Sequence, residues 1–352
     1  MKTYNVVGLM SGSSLDGLDI CLAQIFSNDE KYLFEIKTAK TITYSEELHE
    51  KLKISRTLSS YDLLKLENSL THFFAESVTS LLNENKDTRV DFIVNHGHTV
   101  FHFPNEGISH AISNHQLLAQ KLKIKVLGNL RLKDVAFGGQ GAPIVPVADK
   151  YLFPEYKYCL NLGGICNISE KKGNEIYSND ISICNQALNF YAQLLGKEYD
   201  ENGAFAQKGR IYVPLLDSLN EIEFYQIKGA KSIDNGMFLN EYKPLIDSFP
   251  LSINDILATL TEHIAIQIIK TFSNEEQNNV LVTGGGACNQ FLIERLQAQT
   301  KCEIVVPHEL LIHFKEALAM CFFGVRKIEN KANVFATVTG ASQDTVSGVW
   351  FD

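Results

Sequence analysis

Three short glycine-rich segments, each beside an apolar run, constrain the fold of this sequence most. The first lies within residues 6–23, where two apolar runs flank a turn with Gly12, Gly17, two adjacent hydroxyls and two carboxylates. The pattern returns at Gly163-Gly164, again between two apolar runs, and a third turn, Gly284-Gly285-Gly286, follows another apolar run. The first two patterns predict strand, tight turn, strand, and the third predicts a strand whose turn leads into a helix. An ordinary turn explains any one of them equally well, so the argument rests on their recurrence.

Composition limits the class of protein and its partners. The length of 352 residues exceeds a typical single core and predicts two domains. A net charge of −9 argues against a nucleic-acid partner, because a surface that binds a phosphate backbone needs a basic excess. Seven cysteines without a CxxC pair, together with the lack of a long apolar stretch, predict a cytoplasmic protein with no membrane partner.

Strand-like and helix-like periodicities alternate along the chain, which predicts an α/β protein whose mixed sheets are covered by helices. Residues 137–143 contain three glycines and a proline and form the strongest break. We therefore expect domains at 1–134 and 135–352, with the final tail free to pack back on the first domain. The other predicted elements are strand 31–43, helix 61–83, strand 90–95 with a loop at 96–99, and helices 253–272, 290–299 and 314–328.

The glycine turns together suit a nucleotide. Two turns would grip a phosphate chain from opposite sides, and the third would place a helix N-terminus near the rest of the nucleotide. The sequence has neither a G-x-x-x-x-G-K-[ST] motif nor a strand-linked G-x-G-x-x-G, so a P-loop or a dinucleotide fold is not supported. The duplicated clamp resembles the superfamily of acetate kinases, sugar kinases, heat-shock proteins and actin. This resemblance implies a two-domain actin-like (ribonuclease H-like) fold with the nucleotide in an interdomain cleft.

A closer resemblance covers most of the chain. Residues 8–17, GLMSGSSLDG, are similar to the opening motif of the anhydro-N-acetylmuramic acid kinase family, which usually has Thr where Ser13 stands. Further matches follow in order: NHGHTVFHFP from Asn95, GGQGAP from Gly138, NLGGI from Asn161, Thr259-Leu260-Thr261, Gly284-Gly285-Gly286 with Asn289, and Glu316-Ala317.

The resemblance implies a homodimeric, ATP-dependent kinase of cell-wall recycling. It would open 1,6-anhydro-N-acetylmuramic acid with water and phosphorylate O6, giving N-acetylmuramic acid 6-phosphate. Two alternatives stay open, because several family positions differ here: a kinase for another amino sugar, and a non-catalytic nucleotide or sugar sensor.

The same resemblance assigns residues to ATP and its Mg²⁺. Asp16 and Asp19 would hold the metal through water, although one of them could instead cap its own turn. The predicted ATP-binding residues are Gly12, Ser13, Ser14, Leu15, Asp16, Gly17, Leu18, Asp19, Gly163, Gly164, Gly284, Gly285, Gly286 and Asn289.

Asp180 is the predicted catalytic base. The reaction needs a carboxylate that takes a proton from the attacking water. The family carries this base in a Phe-Asp-Thr-Gly-Pro-Gly-Asn motif, and the matching segment, 179–185, retains Asp180 and Asn185. The alternative for Asp180 is a residue placed at a helix N-terminus for capping.

The residues predicted to bind the sugar come from several segments. Arg131 suits the lactyl carboxylate by bidentate bonding, and its alternative is an ion pair with Asp134. His98 stands where the family usually has Gln, and its hydrogen bond would depend on pH. His96, His98 and His102 also admit a zinc site, and Glu316 is favourable at a helix start by the dipole alone. The full set is Ser13, His96, His98, Arg131, Asp134 and Glu316.

Overall fold

The computed structural model describes residues 1–12, 15–227, 231–233, 236–272 and 278–352. Ser13 and Ser14, predicted to bind ATP and the sugar, lie outside these ranges. The strands are β1 (Lys2–Ser11), β2 (Leu18–Asn28), β3 (Lys31–Ile42), β4 (Phe92–Phe103), β5 (Ile108–Ile112), β6 (Val126–Gly128), β7 (Tyr158–Leu162), β8 (Ile165–Lys172), β9 (Glu175–Ile183), β10 (Asn279–Thr283), β11 (Glu303–Val305) and β12 (Val349–Phe351).

Helices alternate with these strands along the chain. They are α1 (Glu46–Lys53), α2 (Ser60–Glu84), α3 (His115–Leu122), α4 (Leu132–Ala136), α5 (Pro146–Leu152), α6 (Asn185–Gln193), α7 (Val213–Asn220), α8 (Lys243–Asp247), α9 (Ile253–Ile269), α10 (Gln290–Gln299), α11 (Glu309–Ile328) and α12 (Ala336–Thr339). None of the helices in the described ranges is both long and apolar enough to cross a membrane.

The chain forms two compact units, and each has its own sheet. Residues 1–154 and 314–352 form the first unit, and residues 155–313 form the second. The division therefore falls at 154 and 313 rather than at the predicted position 134. Residues 135–154 stay in the first unit because α5 packs against β3 and the ring of Phe153 stacks edge-on against Phe34. The expected α/β class is confirmed, since strands and helices alternate in both units.

The first unit is built on a mixed sheet in the order β12-β6-β4-β1-β2-β3, with β5 on the edge of β4. The strand pairs β1–β2 and β2–β3 are antiparallel, whereas β4 runs parallel to β1. Helix α2 begins at its cap Ser59, whose side chain accepts a hydrogen bond from the N–H of Asp62. Leu66, Leu70 and Phe74 of α2 lie buried at helical spacing, so that this face covers the sheet.

The second unit repeats the arrangement with the order β11-β10-β7-β8-β9. Strands β7, β8 and β9 form an antiparallel meander, and β10 is parallel to β7. Helix α9 lies in the core, capped by Ser252, whose side chain accepts from the N–H of Asp255. The helix ends at Ile269, three residues before the predicted end.

Two local predictions were wrong. Residues 96–99 were expected as a loop, but they belong to β4, which accommodates the break by register shifts and by a left-handed φ of 72° at Gly97. The capping alternative placed Asp180 at a helix N-terminus, but the residue lies in β9, and the helix begins five residues later at Asn185. In both places the local sequence contains glycine or polar residues that disfavour a strand. Pairing with the adjacent strands nevertheless holds the segment in the sheet.

Gly8 lets α11 approach β1 closely, which generates a stability prediction. A methyl group at Gly8 would lie 2.1 Å from the carbonyl oxygen of Ala317 and 2.9 Å from Sγ of Cys321. We expect Gly8→Ala to lower the free energy of unfolding by about 1–3 kcal/mol, because backbone and core must shift. Urea unfolding measures this. Gly285→Ala is the matched control, since its methyl meets nothing within 4 Å. Equal losses in the two variants would contradict the prediction.

Candidate active site

The first glycine turn joins β1 to β2 at the edge predicted for phosphate binding. The two strands stay paired up to Ser11 and Leu18, so the turn closes the antiparallel ladder between β1 and β2. The N–H of Leu15 lies 3.5 Å from the carbonyl oxygen of Gly12, and Leu15 itself has a left-handed φ of 62°. Asp16 is exposed, and one oxygen of Asp19 accepts a 2.6 Å hydrogen bond from the hydroxyl of Thr41. Two carboxylates therefore stand at the turn.

Gly17 cannot be replaced without disturbing this turn. A Cβ atom there would lie 2.6 Å from the carbonyl oxygen of Ile42 on β3. The adjoining Leu18 is completely buried. Gly17 and Leu18 therefore shape the turn through close packing, and their role in binding ATP stays a prediction.

His96 and Arg131 form a contact on the first unit that fixes the protonation of the imidazole. Nδ1 of His96 lies 2.9 Å from the carbonyl oxygen of Gly97, which can only accept, so Nδ1 carries the hydrogen. Nε2 then accepts from Arg131, at 3.2 Å from Nε and 2.9 Å from Nη2. Burial, reinforced by the Arg131 charge, lowers the pKa of His96 to about 3.

Arg131 holds a positive charge with no carboxylate in salt-bridge contact among the described residues. Its pKa is lowered to about 10 because the guanidinium is buried, and Glu316 opposes that effect through its charge. The alternative ion pair with Asp134 is not formed in the structure. A half-buried cation without a direct anionic partner is unfavourable, so this geometry suits an anionic ligand.

Asp134 has a different task. Its Oδ2 accepts from the N–H of Gly141 at 2.8 Å and its Oδ1 accepts from the hydroxyl of Thr339 at 2.8 Å. The side chain is fully buried, and burial raises its pKa. A Cβ at Gly139 would lie 2.2 Å from Oδ2. This geometry favours a structural role, holding residues 139–141 and α12 together, over the predicted contact with the sugar.

Glu316 lies within α11, two residues after Phe314, whose backbone angles interrupt the helix. Burial raises the pKa of Glu316, and the charges of Lys315, Asp19 and Arg131 also act on it. The structure therefore brings the predicted residues Asp19, Arg131 and Glu316 within electrostatic reach of one another in the first unit.

A buried ion pair beside Glu316 was not predicted from the sequence. Nζ of Lys315 lies 3.1 Å from Oδ1 of Asp149, and both side chains are less than 5% exposed. The two residues come from α11 and α5, and no motif connects them. The only available signal was the unusual placement of a lysine in an apolar helical run.

In the second unit, the Gly163-Gly164 turn is fixed by the start of α6. The N–H groups of Cys184 and Gln186 donate to the carbonyl oxygen of Gly164, and that of Asn185 donates to Gly163, at 2.9–3.1 Å. The Asn185 amide also donates to the carbonyl oxygen of Leu162 at 2.9 Å. The carbonyls of the turn are thus occupied.

The third turn packs directly on the second. Gly284 has a left-handed φ of 83°, and a Cβ there would lie 2.6 Å from Oδ1 of Asn161. A Cβ at Gly286 would lie 2.7 Å from the side chain of Leu162. The predicted residue Asn289 caps α10 by accepting from the N–H of Leu292 at 3.1 Å. Two of the three predicted nucleotide turns therefore form one surface.

A cavity of about 460 Å³ opens beside these turns. This volume lies in the range of small-ligand sites. Asp200 accepts from the N–H groups of Phe205 and Ala206 and so stabilises the cavity wall. The lining residues are Asn185, Leu188, Asn189, Tyr199, Asp200, Glu201, Asn202, Gly285, Gly286, Cys288, Asn289, Glu309 and His313.

Asp180 lies on β9, opposite Asn167 and beside a register shift in β8. Its Oδ2 accepts from the N–H of Ile233 at 2.9 Å and from the hydroxyl of Ser232 at 3.2 Å. Burial raises its pKa, although both hydrogen bonds lower it. A second cavity of about 300 Å³ reaches the side chain and is also lined by Lys231. The capping alternative is wrong, since Asp180 precedes α6 by five residues.

The three histidines of β4 make separate contacts. His96 bonds Arg131, His98 bonds Ser11, and Nδ1 of His102 lies 3.1 Å from the hydroxyl of Ser109. Within the described residues, no group of three or more His, Cys, Asp or Glu side chains is arranged to hold a metal ion. The zinc alternative has no support in the structure.

Comparison with known proteins settles the family. A family model described as anhydro-N-acetylmuramic acid kinase matches residues 4–352. The chain belongs to the anhydro-N-acetylmuramic acid kinase family. The kinase of that name from Mannheimia succiniciproducens is 32% identical over 375 residues, covering 100% of this chain and 99% of its own. That from Actinobacillus pleuropneumoniae serotype 7 is 31% identical and covers 97% of each chain.

Family membership confirms two predictions: the family itself, and a kinase that transfers a phosphoryl group to an alcohol group. Among solved structures, component A of the (R)-2-hydroxyglutaryl-CoA dehydratase of Acidaminococcus fermentans is 12% identical, with a TM-score of 0.46 over 91% of this chain and 97% of that chain.

The buried histidines generate a pH prediction. Burial lowers the pKa of His96 to about 3 and that of His98 to about 4, below the ordinary value of 6.5. The unfolded chain therefore binds more protons between these values, and stability is fully present above pH 6.5 and is lost as the pH falls toward 4. Each histidine contributes a slope of up to about 1.4 kcal/mol per pH unit.

Urea unfolding between about pH 7 and pH 5 measures this slope. We expect His98→Gln to show a shallower loss of stability than the unchanged chain, because one buried titrating group is removed. An identical slope in the variant would contradict the assignment for His98.

Proposed function

We propose that this protein uses ATP to open the ring of 1,6-anhydro-N-acetylmuramic acid with water and to phosphorylate O6, giving N-acetylmuramic acid 6-phosphate in cell-wall recycling. The observation that carries the proposal is the family match over residues 4–352. The matches to relatives of the same name span 97–100% of this chain and 97–99% of theirs.

The first unit supplies the features expected of a site for an acidic sugar. Arg131 is a half-buried cation without a carboxylate in salt-bridge contact among the described residues, and His96 bonds only one edge of its guanidinium. A planar guanidinium binds a carboxylate with two parallel hydrogen bonds. The lactyl carboxylate of the substrate is such a group, and we assign it to Arg131.

Asp180 is proposed as the base. Water attacks the anomeric carbon, its proton passes to Asp180, and the bond from that carbon to O6 breaks. The released O6 attacks the γ-phosphorus, and ADP leaves. A carboxylate whose pKa is raised by burial is a better proton acceptor than an exposed one. The N–H of Ile233 and the hydroxyl of Ser232 hold its orientation.

The nucleotide would use the glycine turns and the cavity of the second unit. Backbone N–H groups at such turns bind phosphate oxygens, and the cavity of about 460 Å³ has the size for the nucleoside. Asp16 and Asp19 are oxygen donors at the first turn and fit a Mg²⁺ ion held through water and phosphate. When bound, the ion neutralises phosphate charge. The homodimer and the cytoplasmic location implied by the resemblance stay predictions.

The activity test measures ADP release and the sugar product with ATP, Mg²⁺ and the anhydro sugar. We expect a ring-opened, 6-phosphorylated product from the unchanged protein. Asp180→Asn should lower turnover by about 10²–10⁴-fold, because the base is lost, while the affinity for ATP stays within about twofold. Isothermal titration with a non-hydrolysable ATP analogue measures that affinity.

Asp217→Asn is the matched control, since Asp217 is exposed on α7 of the same unit, and its rate should be unchanged. Full activity in Asp180→Asn would show that another group is the base. ATP binding without ADP release over a panel of amino sugars would replace the kinase proposal by the sensor alternative.

A second test addresses the carboxylate of the sugar. The anhydro sugar without its lactyl group, 1,6-anhydro-N-acetylglucosamine, lacks the anion that we assign to Arg131. The unchanged protein should have a much higher kcat/KM for the lactyl sugar. Arg131→Gln should remove about 10²-fold of that preference, which is the loss of one charged, bidentate contact.

Arg131→Lys is the control that keeps the charge and loses the fork. We expect its preference to lie between those of Arg131→Gln and the unchanged protein. An unchanged preference in Arg131→Gln would contradict the assignment of the carboxylate to Arg131.

A further inference from the structure

Tyr44, Ser11 and His98 form a buried chain of hydrogen bonds in the first unit. The hydroxyl of Tyr44 donates to Oγ of Ser11 at 2.7 Å, and Oγ lies 2.9 Å from Nδ1 of His98. The three residues are 5%, 3% and 6% exposed. They come from three places in the sequence, since Ser11 ends β1, His98 is its partner on β4, and Tyr44 follows β3.

The direction of the chain follows from the number of donors. Tyr44 has one hydrogen, and Ser11 is the one acceptor that the described residues provide for it. Ser11 must then direct its own hydrogen to Nδ1 of His98. The reverse order would leave the hydrogen of Tyr44 without an acceptor. If Tyr44 and Nδ1 both donated to Oγ, the hydrogen of Ser11 would lack an acceptor among the described residues. Either arrangement is unfavourable for a buried hydroxyl. Nδ1 therefore has no hydrogen, and the neutral ring carries it on Nε2.

Nε2 of His98 remains available. The described residues offer it no second hydrogen bond, and it is not among the fully buried polar atoms that lack a partner. It therefore keeps contact with solvent although the rest of the residue is enclosed. His96, two residues earlier, has the opposite tautomer because its Nδ1 donates and its Nε2 accepts.

The position of His98 relates this donor to the substrate. Its partner Ser11 directly precedes Gly12 of the first glycine turn. The preceding histidine on β4, His96, is hydrogen-bonded to Arg131. Along β4 the donor thus lies between the turn and the cation proposed to bind the acidic sugar. The ring stays neutral at physiological pH, since burial keeps its pKa near 4.

We propose that His98 is a specificity-determining residue whose Nε2–H donates a hydrogen bond to an acceptor oxygen of the sugar, and that Ser11 and Tyr44 are positioning residues that fix this tautomer. The proposal rests on the proposed function for the identity of the sugar. A glutamine amide can offer the same donor, whereas an alkyl side chain cannot. The sequence predicted that the hydrogen bond of His98 would depend on pH. Because the ring stays neutral, we instead expect Nε2 to act as a donor throughout the physiological range.

The tautomer can be measured directly in the full-length protein labelled with ¹⁵N-histidine. Long-range ¹H–¹⁵N correlation spectra distinguish a protonated from an unprotonated ring nitrogen, and His98→Gln identifies the signals. We expect Nδ1 of His98 without hydrogen and Nε2 with hydrogen. Tyr44→Phe should yield a mixture of tautomers, because Ser11 can then turn its hydrogen away. A hydrogen on Nδ1 in the unchanged protein would overturn the inferred direction.

Kinetics with 1,6-anhydro-N-acetylmuramic acid test the contact with substrate. His98→Leu should raise KM about tenfold, as for the loss of one hydrogen bond, while His98→Gln should stay within about threefold of the unchanged value. Tyr44→Phe should raise KM with little change in kcat. His102→Gln is the matched control on the same strand, and it should leave KM unchanged.

The outcomes separate this inference from the proposed function. Equal KM values for His98→Gln and His98→Leu, both raised, would overturn the donor role even in an active enzyme. An unchanged protein that releases no ADP with the sugar would overturn the proposed function and the substrate contact with it. The spectra would still decide whether Ser11 and Tyr44 fix the tautomer.

Discussion

The close approach of α11 to β1 is the constraint on which the first unit depends. Gly8 has no side chain, and the carbonyl oxygen of Ala317 occupies the space where one would stand. Gly324 serves the same purpose further along α11, where a Cβ would lie within 3 Å of Val94 and Phe92 on β4. Helix α11, which contains Glu316, thus packs closely against the central strands β1 and β4.

A polar cluster secures the far end of this helix. One oxygen of Glu329 accepts from the hydroxyl of Ser27 at 2.7 Å, and the other accepts from Tyr32 at 3.0 Å. Arg326 bonds Glu30 at 2.7 Å and its guanidinium lies 4.2 Å from the ring centre of Tyr151. Buried charges of this kind fix position because each has a specific partner. The position of Glu316 relative to Arg131 is therefore set by the close contact at Ala317 and by the polar cluster at residues 326–329.

The sequence was sufficient for elements whose pattern is local. The turns at Gly163 and Gly284 and the helix that follows Asn289 were predicted, because glycine spacing acts over a few positions. The β4 segment at His96 and the β9 position of Asp180 were mispredicted, because pairing with distant strands overrode a local break. The structural bonds of Asp134 and the ion pair of Lys315 with Asp149 depend on contacts across the chain and leave no local pattern.

The cavity beside the second and third glycine turns also has a practical property. Six of the seven cysteines are buried, and the exposed one, Cys288, lines this cavity. Burial and the charge of Glu309 raise the pKa of its thiol, so its reaction with alkylating reagents is slow at neutral pH and faster in mild alkali. A fluorophore can therefore be attached to Cys288 at the wall of the cavity without removing any other cysteine. Its emission would then report the binding of a ligand in the cavity of the native chain.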